Sequence, residues 1–210
     1  MANEIFQQIT AAEALAFATS GPQESPITSN AGASECLQKF GVSEITALLK
    51  ELGDQEWVHV YFAYGADNTS PDYKWLNGVI LASRQLNPTE TDPGVDAGHV
   101  EFLTTMSEAQ SQVYPHQISA KVANEFKSLG FQWEKQAFHI SGIFALLATI
   151  EEQTPVDENK WMYAYYAYDE NKSLKSVVLG CRPLSPEETS TLKNPLTVEF
   201  LDHTNEYPVP

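Results

Sequence analysis

The chain has 210 residues, 42% of them hydrophobic, and sets 28 acidic side chains against 12 basic ones for a formal net charge of -16. That length and apolar content are ample for a buried core in one or two domains. The charge argues against nucleic acid and anionic membrane as partners, because both demand a basic footprint. It leaves two readings open, a surface kept acidic for solubility or one kept for a basic protein partner.

The N-terminal stretch MANEIFQQIT has an acid where a secretory signal needs cations, and no later stretch approaches the ~20 apolar residues of a membrane span. A cytoplasmic location is expected. The next stretch, ITAAEALAF, begins like a capping box, with Thr10 three residues before Glu13. It leads into GPQESPITSNAGAS, which reads as a loop.

From here much of the chain is written twice. Residues 40–103 return as residues 138–201, with FGVSEITALL matched by FHISGIFALL, WVHVYFAY by WMYAYYAY, VILASRQLNPTE by VVLGCRPLSPEE, and VEFL by VEFL. The first shared stretch predicts a helix, with Ser43 and Ser141 as N-caps and one apolar row at Ile45, Leu48, Leu49 and Leu52. The second copy keeps that row as Ile143, Leu146, Leu147 and Ile150, but its outer row changes from Thr46, Lys50 and Glu51 to Phe144, Ala148 and Thr149. A helix apolar nearly all round must be covered on more than one side, by the other unit, an extra helix or a second chain.

The aromatic stretches WVHVYFAY and WMYAYYAY predict strands, each followed by a turn. Return strands are expected near 75–84 and 174–182, leaving through Pro88 and Pro186, and closing strands near 99–104 and 196–201. The offset between copies is 98 at the helix, 104 at the aromatic strand and 98 again at the return strand, so EEQTPVDENK is an insertion and the first hairpin loop is the longer one. Ahead of the second helix, MSEAQSQVY echoes ITAAEALAF with Ser107 and Gln110 in the capping positions, and ISAKVANEFKSLG predicts an amphipathic helix ending at Gly130. The resulting expectation is an α+β fold built from a duplicated α-β-β-β unit, antiparallel strands with helices on one face. The units span 6–103 and 104–201, forming one compact pseudo-symmetric body with a short tail at 202–210.

No catalytic signature stands out in either copy, and no HExxH, CxxC, GxSxG or phosphate-cradling glycine loop occurs. Arg84 and Arg182, the only arginines, hold equivalent positions. Each is either an anion anchor or an ion pair within its own unit, with Glu101 and Glu90, or Glu199 and Glu188, as candidates. Trp57, Tyr61 and Tyr64 match Trp161, Tyr165 and Tyr168, with Trp57, His59 and Tyr61 on one strand face and Phe62 and Tyr64 on the other, and these rings either stack a ligand or belong to the core. His59 corresponds to Tyr163 of the other copy, and His99 stands beside Glu101. Two acidic loops, one with Asp67, Asn68 and Asp72 and one with Glu90, Asp92 and Asp96, fit no EF-hand pattern, so neither metal nor cofactor is expected. Cys36 and Cys181 do not correspond between copies and read as reduced, buried thiols.

Two functions follow. The first is a non-enzymatic cytoplasmic binding protein, an adaptor, inhibitor or antagonist offering an acidic face to a basic protein. The second is a small-molecule or enzymatic site in the cleft between the copies, built from Arg84, Arg182, His59, Tyr61 and Tyr165, which requires an arginine aimed into a cavity without a carboxylate. Homodimerisation through the apolar second helix is a further expectation for partners.

Overall fold

The computed structural model describes residues 6–20, 38–66, 74–90, 98–104, 116–128, 136–156, 158–168, 171, 174–185, 187–193 and 196–202. Among them the chain runs β1 (Gln7–Ile9), α1 (Ala11–Thr19), β2 (Gln38–Gly41), α2 (Val42–Lys50), β3 (Trp57–Ala66), β4 (Lys74–Ala82) and β5 (Phe102–Thr104). It continues with β6 (His116–Gln117), α3 (Ala120–Ser128), β7 (Gln136–His139), α4 (Ile140–Gln153), β8 (Trp161–Tyr168), β9 (Leu174–Gly180) and β10 (Phe200–Asp202).

The strands form two antiparallel sheets of five, ordered β1-β10-β9-β8-β2 and β6-β5-β4-β3-β7, so the fold is α+β. Each expected three-stranded meander is present, and each gains a strand at either edge. The β8–β10 meander takes both additions from the N-terminal part of the chain: β1 runs beside β10, with Gln8 opposite Leu201, and β2 runs beside β8, with Phe40 opposite Met162. The β3–β5 meander is closed by β6 and β7, with Leu103 opposite Gln117 and Val58 opposite Phe138. Each sheet therefore carries strands from both sides of residue 104, and the second sheet, spanning residues 57–139, sits inside the sequence of the first. The helices α2 and α4 are the crossings between them.

Helices cover both faces of the sheets, not one. Ala11 and Ala14 of α1 pack with Tyr165, Ala167, Val178 and Phe200 on the outer face of the first sheet. Ala120 and Ala123 of α3 do the same with Ala63, Ile80 and Phe102 on the outer face of the second. Between the sheets lies the main core, where α2 contributes Ile45, Leu48 and Leu49, α4 contributes Ile143, Leu146 and Leu147, and the strands contribute Val58, Val60, Leu81, Ala164, Tyr166 and Leu179. The sheets touch directly at Phe62 and Tyr166, whose ring centroids are 6.0 Å apart. The reason is visible in WMYAYYAY, which is buried almost without alternation along its length, the mark of a strand covered on both faces.

The helix starts also differ from expectation. Gly41 and His139, not Ser43 and Ser141, are the N-caps of α2 and α4. Strand pairing runs up to these residues and the helix begins at once, so the first helical N–H is satisfied across the molecule: Val42 donates to the Lys160 carbonyl at 3.1 Å and Ile140 to the Glu56 carbonyl at 2.8 Å. Ser43 donates to Glu44 instead, and the Ser141 hydroxyl lies 2.6 Å from His139 Nδ1, which also accepts from Ser141 N–H.

The capping box on α1 is present, with Thr10 Oγ1 accepting from Glu13 N–H at 3.1 Å and Glu13 accepting from Thr10 N–H at 2.7 Å. The Thr10 backbone N–H, helped by the Thr10 hydroxyl, holds the Glu13 carboxyl below its ordinary value. Ser107 and Gln110 lie outside the described residues. On the second sheet α3 takes the place that α1 takes on the first, and there the Ser119 hydroxyl accepts from Val122 N–H at 3.3 Å. Ile9, Thr10, Ala11 and Ala14 are matched by Ile118, Ser119, Ala120 and Ala123, all buried. The stretch MSEAQSQVY lies outside the described residues.

Candidate functional site

The strongest chemistry on the molecule is a pair of arginine forks. Beyond the ends of β4 and β9 the ladder continues by one bond each, Ser83 N–H to the Glu101 carbonyl at 3.0 Å and Cys181 N–H to the Glu199 carbonyl at 2.9 Å. That bond brings each arginine, one residue later, beside the glutamate of VEFL. Arg84 donates through Nε and Nη2 to the two oxygens of Glu101, both at 2.9 Å, and through Nη1 and Nη2 to Glu90 at 2.9 and 2.5 Å. Its guanidinium lies over the Phe102 ring, 4.9 Å from the centroid.

Arg182 repeats the arrangement. It donates to Glu199 through Nε at 3.3 Å and Nη2 at 3.0 Å, and to Glu188 through Nη1 at 2.8 Å, with Phe200 beneath at 5.3 Å. A planar fork held by two carboxylates and stacked on a ring is the geometry for which arginine is suited and lysine is not. Hydrogen bonds to Glu101 and then Glu90 push the Arg84 pKa up, and Arg84 in return lowers that of Glu90. At Arg182 burial works against the charge, and the bonds to Glu188 and Glu199 outweigh it. The guanidinium donors at both sites face carboxylates of the chain itself, so neither arginine is the open anion anchor that a cleft site requires.

The tyrosines serve the same corners. Tyr61 OH accepts from Leu86 N–H at 3.0 Å, and Tyr165 OH accepts from Leu184 N–H at 2.8 Å. Each hydroxyl thereby pins the loop that carries the arginine of its own sheet. His59 is buried, only 2% exposed, and strand alternation sets it with Tyr61 and Ala63 on the outer face of the second sheet, against α3. Tyr165 lies on the outer face of the first sheet, against α1. The five candidate residues therefore divide into His59, Tyr61 and Arg84 with one sheet and Tyr165 and Arg182 with the other. Among the described residues both sheets and the main core stand between the two sets.

His99 pairs with Glu51 at the end of α2, its Nδ1 3.1 Å from the carboxylate, not with its strand neighbour Glu101. Cys181 is free and buried, with its sulfur 3.6 Å from Gln153 Oε1, and burial pushes the thiol up to about 12. A thiol so far from ionisation is a packing residue and not a nucleophile. Cys36 lies outside the described residues, as do Asp67, Asn68, Asp72, Asp92 and Asp96 of the two acidic loops. Glu90, the remaining acid of those loops, is held in the Arg84 fork. Among the described residues no group of three His, Cys, Asp or Glu side chains is placed to hold a metal ion.

The acidic surface is where the chain departs most from an ordinary domain. Both arginines and Lys160, which pairs with Glu151, are engaged internally, while Asp54, Glu56, Glu125, Glu152, Glu158 and Glu187 are exposed. The outer row of α4 is also open within the single chain: Phe144 is 52% exposed and Ala148 is exposed beside it. Residue pattern alone flagged Phe144 and Ala148, but Thr149, expected in the same outer row, is 3% exposed and turns inward, its hydroxyl accepting from Val198 N–H at 3.1 Å. His139 is the residue that sequence reasoning missed. As cap of α4 its ring stacks edge-on against Trp57 at 5.0 Å and its Nε2 lies 3.8 Å from Glu56. Histidine is an uncommon cap, and only the pairing of β7 with β3 identifies it.

No protein family, curated protein or solved structure matches the chain. Among the described residues no helix is long and apolar enough to cross a membrane.

Proposed function

We propose that this chain is a non-enzymatic, acidic binding protein of the cytoplasm, an adaptor, inhibitor or antagonist that engages a basic protein partner. The observation that carries the reading is the acid excess, -16 over the chain, together with the internal engagement of its arginines by two carboxylates each. Such a surface draws cationic partners over a distance set by ionic strength. We further read the chain as a duplicated α-β-β-β unit. That reading is supported by the repeated sequence stretches, by the matched arginine forks and tyrosine–loop bonds, and by a register shift at Ala63/Tyr64 in one hairpin and at Ala167/Tyr168 in the other.

The test is to immobilise the chain, expose it to native lysate at low and high salt, and identify the retained proteins by mass spectrometry. Retention of proteins of high isoelectric point, released as salt rises, is the expected result. Retention that salt does not change overturns the reading.

A further inference from the structure

Resting on that acidic-binding reading, we infer that the outer row of α4, formed by Phe144, Ala148 and Glu152, is the docking surface, and that it receives a lysine-rich amphipathic segment of the partner. The three residues recur at four-residue spacing and so lie in one row along the helix. The fold does not require their character. Ile143, Leu146, Leu147 and Ile150 anchor α4 in the core, while α2, anchored by the matching Ile45, Leu48, Leu49 and Leu52, presents Thr46 and Lys50 to solvent in the corresponding row. A polar row is therefore sufficient for the structural task, and an exposed phenylalanine in its place is left unexplained by folding.

Charge decides what covers it. The last turn of α4 carries Glu151 and Glu152 and no basic residue, the unfavourable sign for the negative end of a helix. Glu151 is matched by Lys160; Glu152 is exposed, and just beyond it stand Val156, 91% exposed, and the exposed Glu158. The apolar row thus runs on into the acidic insertion, whose first residues, Glu151, Glu152 and Gln153, are the last of the helix. A second copy of this chain is a poor cover, because a two-fold contact through the row sets like charges against each other on chains that already repel. A segment with an apolar face for Phe144 and Ala148 and flanking lysines for Glu152 and Glu158 matches both halves of the surface.

The test uses the full chain and two synthetic peptides of equal length and charge, one a lysine–leucine amphipathic helix and one a lysine–serine peptide. Binding is followed by titration at low and high salt, with circular dichroism of each variant to verify folding. The lysine–leucine peptide should bind more tightly and lose affinity with salt. Phe144→Ser should weaken it about tenfold, and Glu152→Gln about threefold with a shallower salt dependence. Glu125→Gln, the same charge change on α3, should leave it at the wild-type value. If Phe144→Ser binds as wild type, or both peptides bind equally, this docking surface is overturned while the acidic-binding reading stands. If neither peptide binds at low salt, both are overturned. A wild-type dimer in sedimentation that Phe144→Ser dissociates assigns the row to a second copy and likewise overturns the proposal.

Discussion

Tyr165→Phe, compared with Tyr61→Phe, measures how strongly the hydroxyls hold the arginine corners. The two tyrosines make the same bond, to Leu184 N–H at 2.8 Å and to Leu86 N–H at 3.0 Å, but in different surroundings. Tyr165 is 3% and Leu184 1% exposed, whereas Tyr61 is only partly buried and Leu86 is 7% exposed. Removing the oxygen at 165 leaves a buried N–H without this acceptor and out of reach of water, which costs about 1–3 kcal/mol. At 61, solvent replaces part of the lost bond, and a cost of about 0.5–1 kcal/mol is expected. Urea unfolding followed by circular dichroism reads both, with unchanged slopes licensing the comparison. On heating, each kcal/mol corresponds to about 2–4 °C for a chain of this size. Equal losses, or a larger loss at Tyr61, would refute the claim that burial of the Leu184 amide sets the difference.

Other outcomes follow from the same geometry. Arg84→Met leaves Glu90 and Glu101 facing each other without their cation; because the fork is partly exposed, the loss at neutral pH should be modest, about 1–2 kcal/mol by chemical denaturation. Glu90 is lowered by Arg84 in the folded state, so its contribution is present above the ordinary carboxylate pKa and disappears as pH falls through the lower folded value. The variant should accordingly show a flatter acid limb than wild type, and an unchanged limb would count against the fork. Gly180→Ala sets a new methyl 2.7 Å from the ring of Phe200, which is fully buried and cannot swing aside. A loss of about 1–3 kcal/mol in thermal or urea unfolding is expected, and a neutral result would mean that the ring has room.

What could be read in the sequence was whatever depends on neighbours close along the chain. The aromatic strands, the helix rows of α2 and α4, and the capping box at Thr10 and Glu13 carry their own patterns. The pairing of Arg84 with Glu101 was legible as one of two alternatives, because antiparallel strands close to each other in sequence bring them together. The edge strands were not legible: QKFG and QAFH are four residues without alternation, and they become strands because distant meanders offer open edges. The helix caps failed for the same reason, since Gly41 and His139 cap helices whose first amides are satisfied by Lys160 and Glu56. The placement of the candidate residues turned on orientation. Period-two alternation shows that His59 and Tyr61 share a face, but which face turns outward depends on α3, which packs there from the far side of β6.

The interleaving of the sheets has a consequence for how the chain comes to be folded. Residues 57–139 supply every strand of one sheet, so that sheet can assemble once this stretch has left the ribosome. The other sheet cannot. Its β1 waits for Leu201 and its β2 for Trp161 and Met162, and until those residues are made the two strands have no ladder to join. β2 gains its ladder when β8 is made, and β1 only when β10 follows it. The strand made after all the others described thus locks the earliest one into place, and loss of β10 would strip β1 of its partner.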